Sequence, residues 1–130
     1  MQRAKHMTGS MGLHYVCYRL AEQCWNVSVS KLSTRDRNEG TCKRRDGKSI
    51  TFQTQSQGRK LAIQLNGGLS KITKQFLIAV VNLDCDVPEV YIFTADEARD
   101  KMVEQNNRGF IEVKIYDTEE FRDRWDKLET

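Results

Sequence analysis

FLIAVVNL, residues 76–83, opens with an unbroken apolar run from Phe76 to Val81. It lacks the period of two of a strand with one wet face, and it is too short for a buried helix. It reads as a strand covered on both faces. Such a strand needs a layer above and a layer below, which points to an α/β domain built round a central sheet. Working outward, EVYIF (89–93) is the next strand, entered through Pro88. Thr94 with Glu97 three residues on forms a capping box and predicts a helix from about 95 to about 106. Gly109 interrupts the chain, and FIEVKIY (110–116) alternates as a strand. Asp117 or Thr118 then caps a last helix, TEEFRDRWDKL, with Phe121 and Trp125 at i and i+4.

Upstream, KSITFQTQS (48–56) alternates and pairs with TCKRR (41–45) across Asp46-Gly47, a dipeptide suited to a tight two-residue turn. LAIQL (61–65) is a short strand, and Gly67-Gly68 is a flexible break. WNVSVSK (25–31) alternates Trp25, Val27 and Val29 against Asn26, Ser28 and Ser30, the pattern of a half-buried strand. Residues 32–40 read as a polar loop. GLHYVCYRLAEQC (12–24) places Val16 and Leu20 on one face of an amphipathic helix. The predicted order is α-β-β-β-β-β-α-β-α, an α/β fold with a mixed central sheet flanked by helices.

At 130 residues, 38% hydrophobic and 30% charged, the chain fits one soluble domain. Residues 1–10, MQRAKHMTGS, read as an expression tag, with Met11 the expected native start of a single domain over 11–130. No run reaches the ~18 apolar residues of a membrane helix, so a cytoplasmic location and no membrane partner are expected. Cys17, Cys24, Cys42 and Cys85 form no CxxC pair, and only two histidines are present, so free thiols are expected rather than zinc.

Several local motifs occur in order. Gly12-Leu-His-Tyr-Val16, Leu20-Ala21 and Trp25-Asn26-Val27 are followed by Arg37-Asn38-Glu39-Gly40, then Phe52-Gln53-Thr54-Gln55, then the strands at 76–83 and 88–93. Taken together they resemble the PD-(D/E)XK nuclease superfamily, the group of Holliday-junction resolvases and restriction-type enzymes. The resemblance runs from Gly12 to Leu128 and implies a restriction-endonuclease-like fold. It also implies a metal site, because family members hold Mg²⁺ with an aspartate and a second acidic or glutamine residue, beside a lysine. By that correspondence the helix glutamate position holds Leu13 and the aspartate position Cys42. The second ligand position holds Gln53, and the lysine position holds Gln55. Without a carboxylate or a lysine, nothing there attracts a hard cation, so a catalytically inactive domain with no metal and no cofactor is expected.

Two rival chemistries are open to residues in the same region. Ligands could have migrated, with Asp36 and Asp46 supplying oxygens and Lys48 or Lys60 the charge. That reading gives a divergent Mg²⁺-dependent nuclease. Cys42 beside Lys43 and Arg44 could be an activated thiol partnered by His14, although an idle strand cysteine explains it as well.

Charge is unevenly spread. Residues 31–74 carry eleven basic side chains against three acidic, whereas residues 75–130 carry seven against fourteen. Arg35, Arg37, Lys43, Arg44, Arg45, Lys48, Arg59 and Lys60 are therefore candidates for binding the phosphate backbone of DNA, or a DNA-associated partner. The alternative partner is a second copy, the basic hairpin of one subunit lying against the acidic C-terminal part of another.

Overall fold

The computed structural model describes residues 5–31, 37–85 and 87–129. It is an α/β fold around a mixed five-stranded sheet. The sheet contains β1 (Asn26–Lys31), β2 (Arg37–Lys43), β3 (Ser49–Ser56), β5 (Phe76–Val81) and β6 (Glu89–Thr94), in spatial order β1-β2-β3-β5-β6. Only the β3–β5 pair is parallel. That parallel step requires a crossover, and residues 57–75 supply it. The crossover carries β4 (Ile63–Asn66) and a 3₁₀ turn, Gly68–Lys71.

Strand β5 has all six residues buried, as its composition predicts. Alternation sends Ile78 and Val80 to one face and Leu77, Ala79 and Val81 to the other. The first face packs under α1 (Lys5–Glu22), through Leu13, Val16 and Leu20 at the 3–4 spacing of one helix face. The second face packs against a three-stranded sheet, order β4-β8-β7, with β7 spanning Val103–Gln105 and β8 Arg108–Ile111. The helices α2 (Ala95–Lys101) and α3 (Val113–Tyr116) complete that side through Ala98 and Tyr116.

Helix α1 starts at Lys5, seven residues before the expected Gly12. It stops at Glu22, where Cys24 turns left-handed (φ 68°). The Trp25 N–H donates to the Leu20 carbonyl and the Cys24 N–H to the Ala21 carbonyl, the two bonds of a Schellman stop. Strand β2 begins at Arg37, inside the stretch read as a polar loop; residues 32–36 lie outside the described residues.

The C-terminal third departs most from expectation. The capping box at Thr94 is present, but α2 ends at Lys101 instead of running to 106. Asn106 and Asn107 both take positive φ and fold β7 back on β8 as a two-residue hairpin. The predicted strand 110–116 is only half a strand, since Ile111 ends β8 and 113–116 coil into α3. The predicted helix 118–128 does not form. Residues 121–123 instead run along the free edge of β6, with Ile92 N–H donating to Phe121 O and Asp123 N–H to Val90 O. Phe121 then fills one core and Trp125 the other, so no single helix face can serve both. Among the described residues, no helix is long and apolar enough to cross a membrane.

Candidate nucleic-acid interface

The hairpin joining β2 to β3 carries Lys43, Arg44, Arg45 and Lys48 around its tip. It does not use a two-residue turn. The Arg44 N–H donates to Lys48 O, and the Gly47 N–H donates to Arg44 O. Gly47 alone at the tip has positive φ (93°), with open space where a side chain would stand. The connection is thus a three-residue loop, Arg45-Asp46-Gly47, closed by a left-handed glycine. Asp46 fixes it by accepting the Lys48 N–H at 2.9 Å. That backbone donor, with Arg44 beside it, holds the Asp46 carboxyl below the usual carboxylate range.

Around this tip stand Lys43 and Arg45, both exposed, and Arg44 and Lys48, both half-buried. A groove of about 900 Å³ runs between the tip and the end of α1, lined by Gln23, Cys24, Trp25, Asn26, Arg44 and Arg45 among others. The Asn26–Lys43 register pair brings its two walls together. Arg44 turns inward. Its guanidinium lies 4.8 Å from the centre of the Trp25 ring and pairs with Asp46 and Glu129. Arg44 thereby joins the basic hairpin to the acidic C-terminal part within the chain. Lys43 and Arg45, by contrast, carry no ion pair among the described residues.

The other basic candidates are not part of this cluster. Arg59 and Lys60 follow the far end of β3, eight residues of strand away, or roughly 25 Å at ~3.3 Å per residue. Lys60 is held by Glu89 at 3.1 Å and Asp117 at 3.0 Å, and Arg122 joins the same two carboxylates. Burial works against the Lys60 charge, but the bonds to Asp117 and Glu89 outweigh it and raise its pKa. This network clamps the crossover to β6 and the C-terminal segment, which gives Lys60 a structural task. Arg35, and the side chain of Arg37, lie outside the described residues.

The four positions matched to a nuclease site do not converge. Leu13 and Cys42 are buried on the α1 side of the main sheet. Gln53 and Gln55 lie on the opposite side, because Gln53 pairs in register with Glu39 and Leu77, and Gln55 with Ala79. Gln53 is fully buried and committed: its Nε2 donates to Lys71 O at 3.0 Å, and its Oε1 accepts the N–H groups of Thr73 (3.0 Å) and Lys74 (3.3 Å). It staples the crossover. Glu39, its register partner, pairs with Lys74 at 3.7 Å. The polar side chains that do share a face with Cys42 are Asn38, Thr54 and Ser56, all buried and uncharged. The sequence pattern pointed to the odd-numbered residues of β3 and passed over these even-numbered ones.

The rival chemistries meet the same geometry. Burial pushes the Cys42 thiol up to about 12, helped by the neighbouring Cys17 thiol, the reverse of an activated nucleophile. His14 sits exposed on the outer face of α1, its Nδ1 2.7 Å from the Ser10 carbonyl, away from the core that holds Cys42. Asp36 lies outside the described residues, Asp46 is engaged in its loop, and Lys60 is clamped. Among the described residues no three His, Cys, Asp or Glu side chains are grouped as metal ligands would be. The groove residues Gln23, Cys24 and Asn26 were missed, since only the packing of α1 beside the hairpin brings them to Arg45. No family model, curated protein or solved structure matches the chain.

Proposed function

We propose that this chain is a catalytically inactive, nuclease-like α/β domain that binds the phosphate backbone of nucleic acid through its β2–β3 hairpin tip. The observation that carries the reading is the pair Lys43 and Arg45, exposed and without a carboxylate partner among the described residues, with Arg45 lining an open groove. Arg44 and Lys48 add positive potential there. Cations at a strand end and its turn can release counterions from a nucleic acid without reading its sequence. Loss of chemistry is supported by the committed oxygen of Gln53 and by the raised, buried thiol of Cys42.

Fluorescence anisotropy of labelled duplex and single-stranded oligonucleotides, over a salt series, tests the reading. Binding is expected at low salt and should weaken linearly on a log–log plot. The Lys43→Ala/Arg45→Ala variant should flatten that slope by about 2, roughly 0.9 for each lost phosphate contact. No binding at low salt, or an unchanged slope in the variant, would end the proposal.

A further inference from the structure

We infer that the groove between the end of α1 and the β2–β3 hairpin holds one unpaired base, so that the form of nucleic acid recognised at the hairpin is a single strand. Granted the phosphate contacts proposed for Lys43 and Arg45, on which this rests, the groove adds what those cations cannot choose, the form of the strand. The groove arises from the way α1 stops. Cys24 turns left-handed, and the chain enters β1 at Asn26, which pairs with Lys43. Gln23 and Asn26 thereby share the groove with Arg44 and Arg45. The space is about 900 Å³, within the ~300–1,000 Å³ of pockets that hold a small ligand.

The charges inside do not suit a phosphate. Arg44, half-buried, is balanced by Asp46 at 3.6 Å and by Glu129. Asp46 also lines the groove, and so does Ala21 in the last turn of α1. The carbonyl end of a helix repels anions. A phosphate drawn to Lys43 and Arg45 therefore stays on the hairpin side, and the part of the nucleotide that can enter is the uncharged one.

A flat polar group fits what is left. Two carboxylates fix the Arg44 guanidinium 4.8 Å from the centre of the Trp25 ring, and the part of it still exposed lines the groove. Arginine guanidinium groups are stacking surfaces for unpaired bases. Asn26 adds an exposed amide with no side-chain hydrogen bond among the described residues. Gln23 spends its Nε2 on the Arg19 carbonyl at 3.2 Å, which leaves its oxygen as an acceptor. Together they offer a donor and two acceptors to a base edge. In a duplex those edges are paired and the base faces stacked, so a single strand is the form that can present them.

Fluorescence anisotropy on the full chain tests this with labelled probes of about 12 nucleotides, a length within the site sizes of small single-strand-binding domains. The probes are a mixed-sequence DNA strand, its duplex, and an abasic strand with the same phosphates. The mixed-sequence strand should bind about 5- to 100-fold more tightly than the abasic strand, the worth of one stacked base, and more tightly than the duplex. Arg44→Lys keeps the charge and loses the planar surface. It should bring the mixed-sequence strand down to the abasic level and leave the salt slope unchanged. Asn26→Ala should weaken the mixed-sequence strand alone, by about 3- to 10-fold. Because Asn26 is exposed, its variant reads the groove even where Arg44→Lys lowers the melting temperature. Equal binding of the intact and abasic strands overturns the base pocket and leaves the phosphate contacts standing. So does duplex binding as tight as that of the single strand, or a preference for the intact strand that both variants keep. No binding by any probe at low salt overturns the base pocket and the phosphate contacts together.

Discussion

Replacing Gln53 by leucine separates a structural staple from a metal ligand. The substitution keeps the side-chain volume close to constant, so packing changes little. It deletes three hydrogen bonds, one to Lys71 O and one each from the N–H groups of Thr73 and Lys74. The crossover is only partly sheltered there, with Lys71 and Thr73 exposed, so water can reach part of what is lost. Each bond then counts at about 1 kcal/mol, for a total near 3 kcal/mol. Against a stability of about 5–15 kcal/mol this is a large loss. At roughly 3–4 °C per kcal/mol for a domain of this size, the melting temperature should fall by about 10 °C. Circular dichroism melts and urea titrations measure it. Ile72, buried in the second core, and Arg99, which donates to Ile72 O at 3.1 Å, still hold the loop, so the variant should remain folded. The staple reading is refuted if Gln53→Leu melts within about 2 °C of the parent, or keeps its stability while titration calorimetry shows lost Mn²⁺ binding.

Two further outcomes follow from backbone and charge. Cys24→Gly should stabilise the chain by about 0.5–1 kcal/mol, because a left-handed L-residue costs about 1–2 kcal/mol and glycine returns part of that gain as unfolded-chain entropy. Urea titration reads it, and a midpoint that stays or falls contradicts the Schellman stop. Glu97 accepts from Thr94 N–H and from Lys127. Burial alone would raise its carboxyl, but those partners bring it below the usual value. A lowered carboxylate contributes stability that is present above its unfolded pKa and lost as pH falls through the folded one. Glu97→Gln should therefore flatten the stability–pH curve between about pH 5 and pH 2, and a curve parallel to the parent's would rule the interaction out.

The main sheet was largely legible in the sequence because its signals are local. FLIAVV had to be covered on both faces, SITFQTQ and NVSVS alternate, and Thr94 with Glu97 announces its own helix start. The C-terminal third was not, for two physical reasons. Asn106-Asn107 competes with a helical pattern and wins by tolerating left-handed backbone, which makes a hairpin out of the helix tail. Phe121 and Trp125 have helical spacing, yet the segment between them crosses from one core to the other at the edge of β6. That distribution is fixed by tertiary packing and leaves no trace in periodicity. The candidate interface was half legible. Lys43, Arg44 and Arg45 announce a basic turn, but the inward rotation of Arg44 onto Trp25 and Glu129 depends on residues 19 and 85 positions away.

Strand alternation decides how the nuclease resemblance should be weighed. In a sheet with cores on both faces, shifting an alignment by one residue moves every matched side chain to the other layer. The match of Cys42 and Leu13 to one pair of ligand positions, and Gln53 and Gln55 to another, distributes a single site across both faces of β2 and β3. The side chains that can meet beneath α1 are Asn38, Cys42, Thr54 and Ser56. Those that can meet on the other layer are Glu39, Gln53 and Lys74, already joined to one another or to the crossover. The first group is neutral, and in the second each charge has its counter-charge. Away from both layers, Lys43 at the end of β2 and Arg45 in the turn are exposed cations with no ion pair among the described residues.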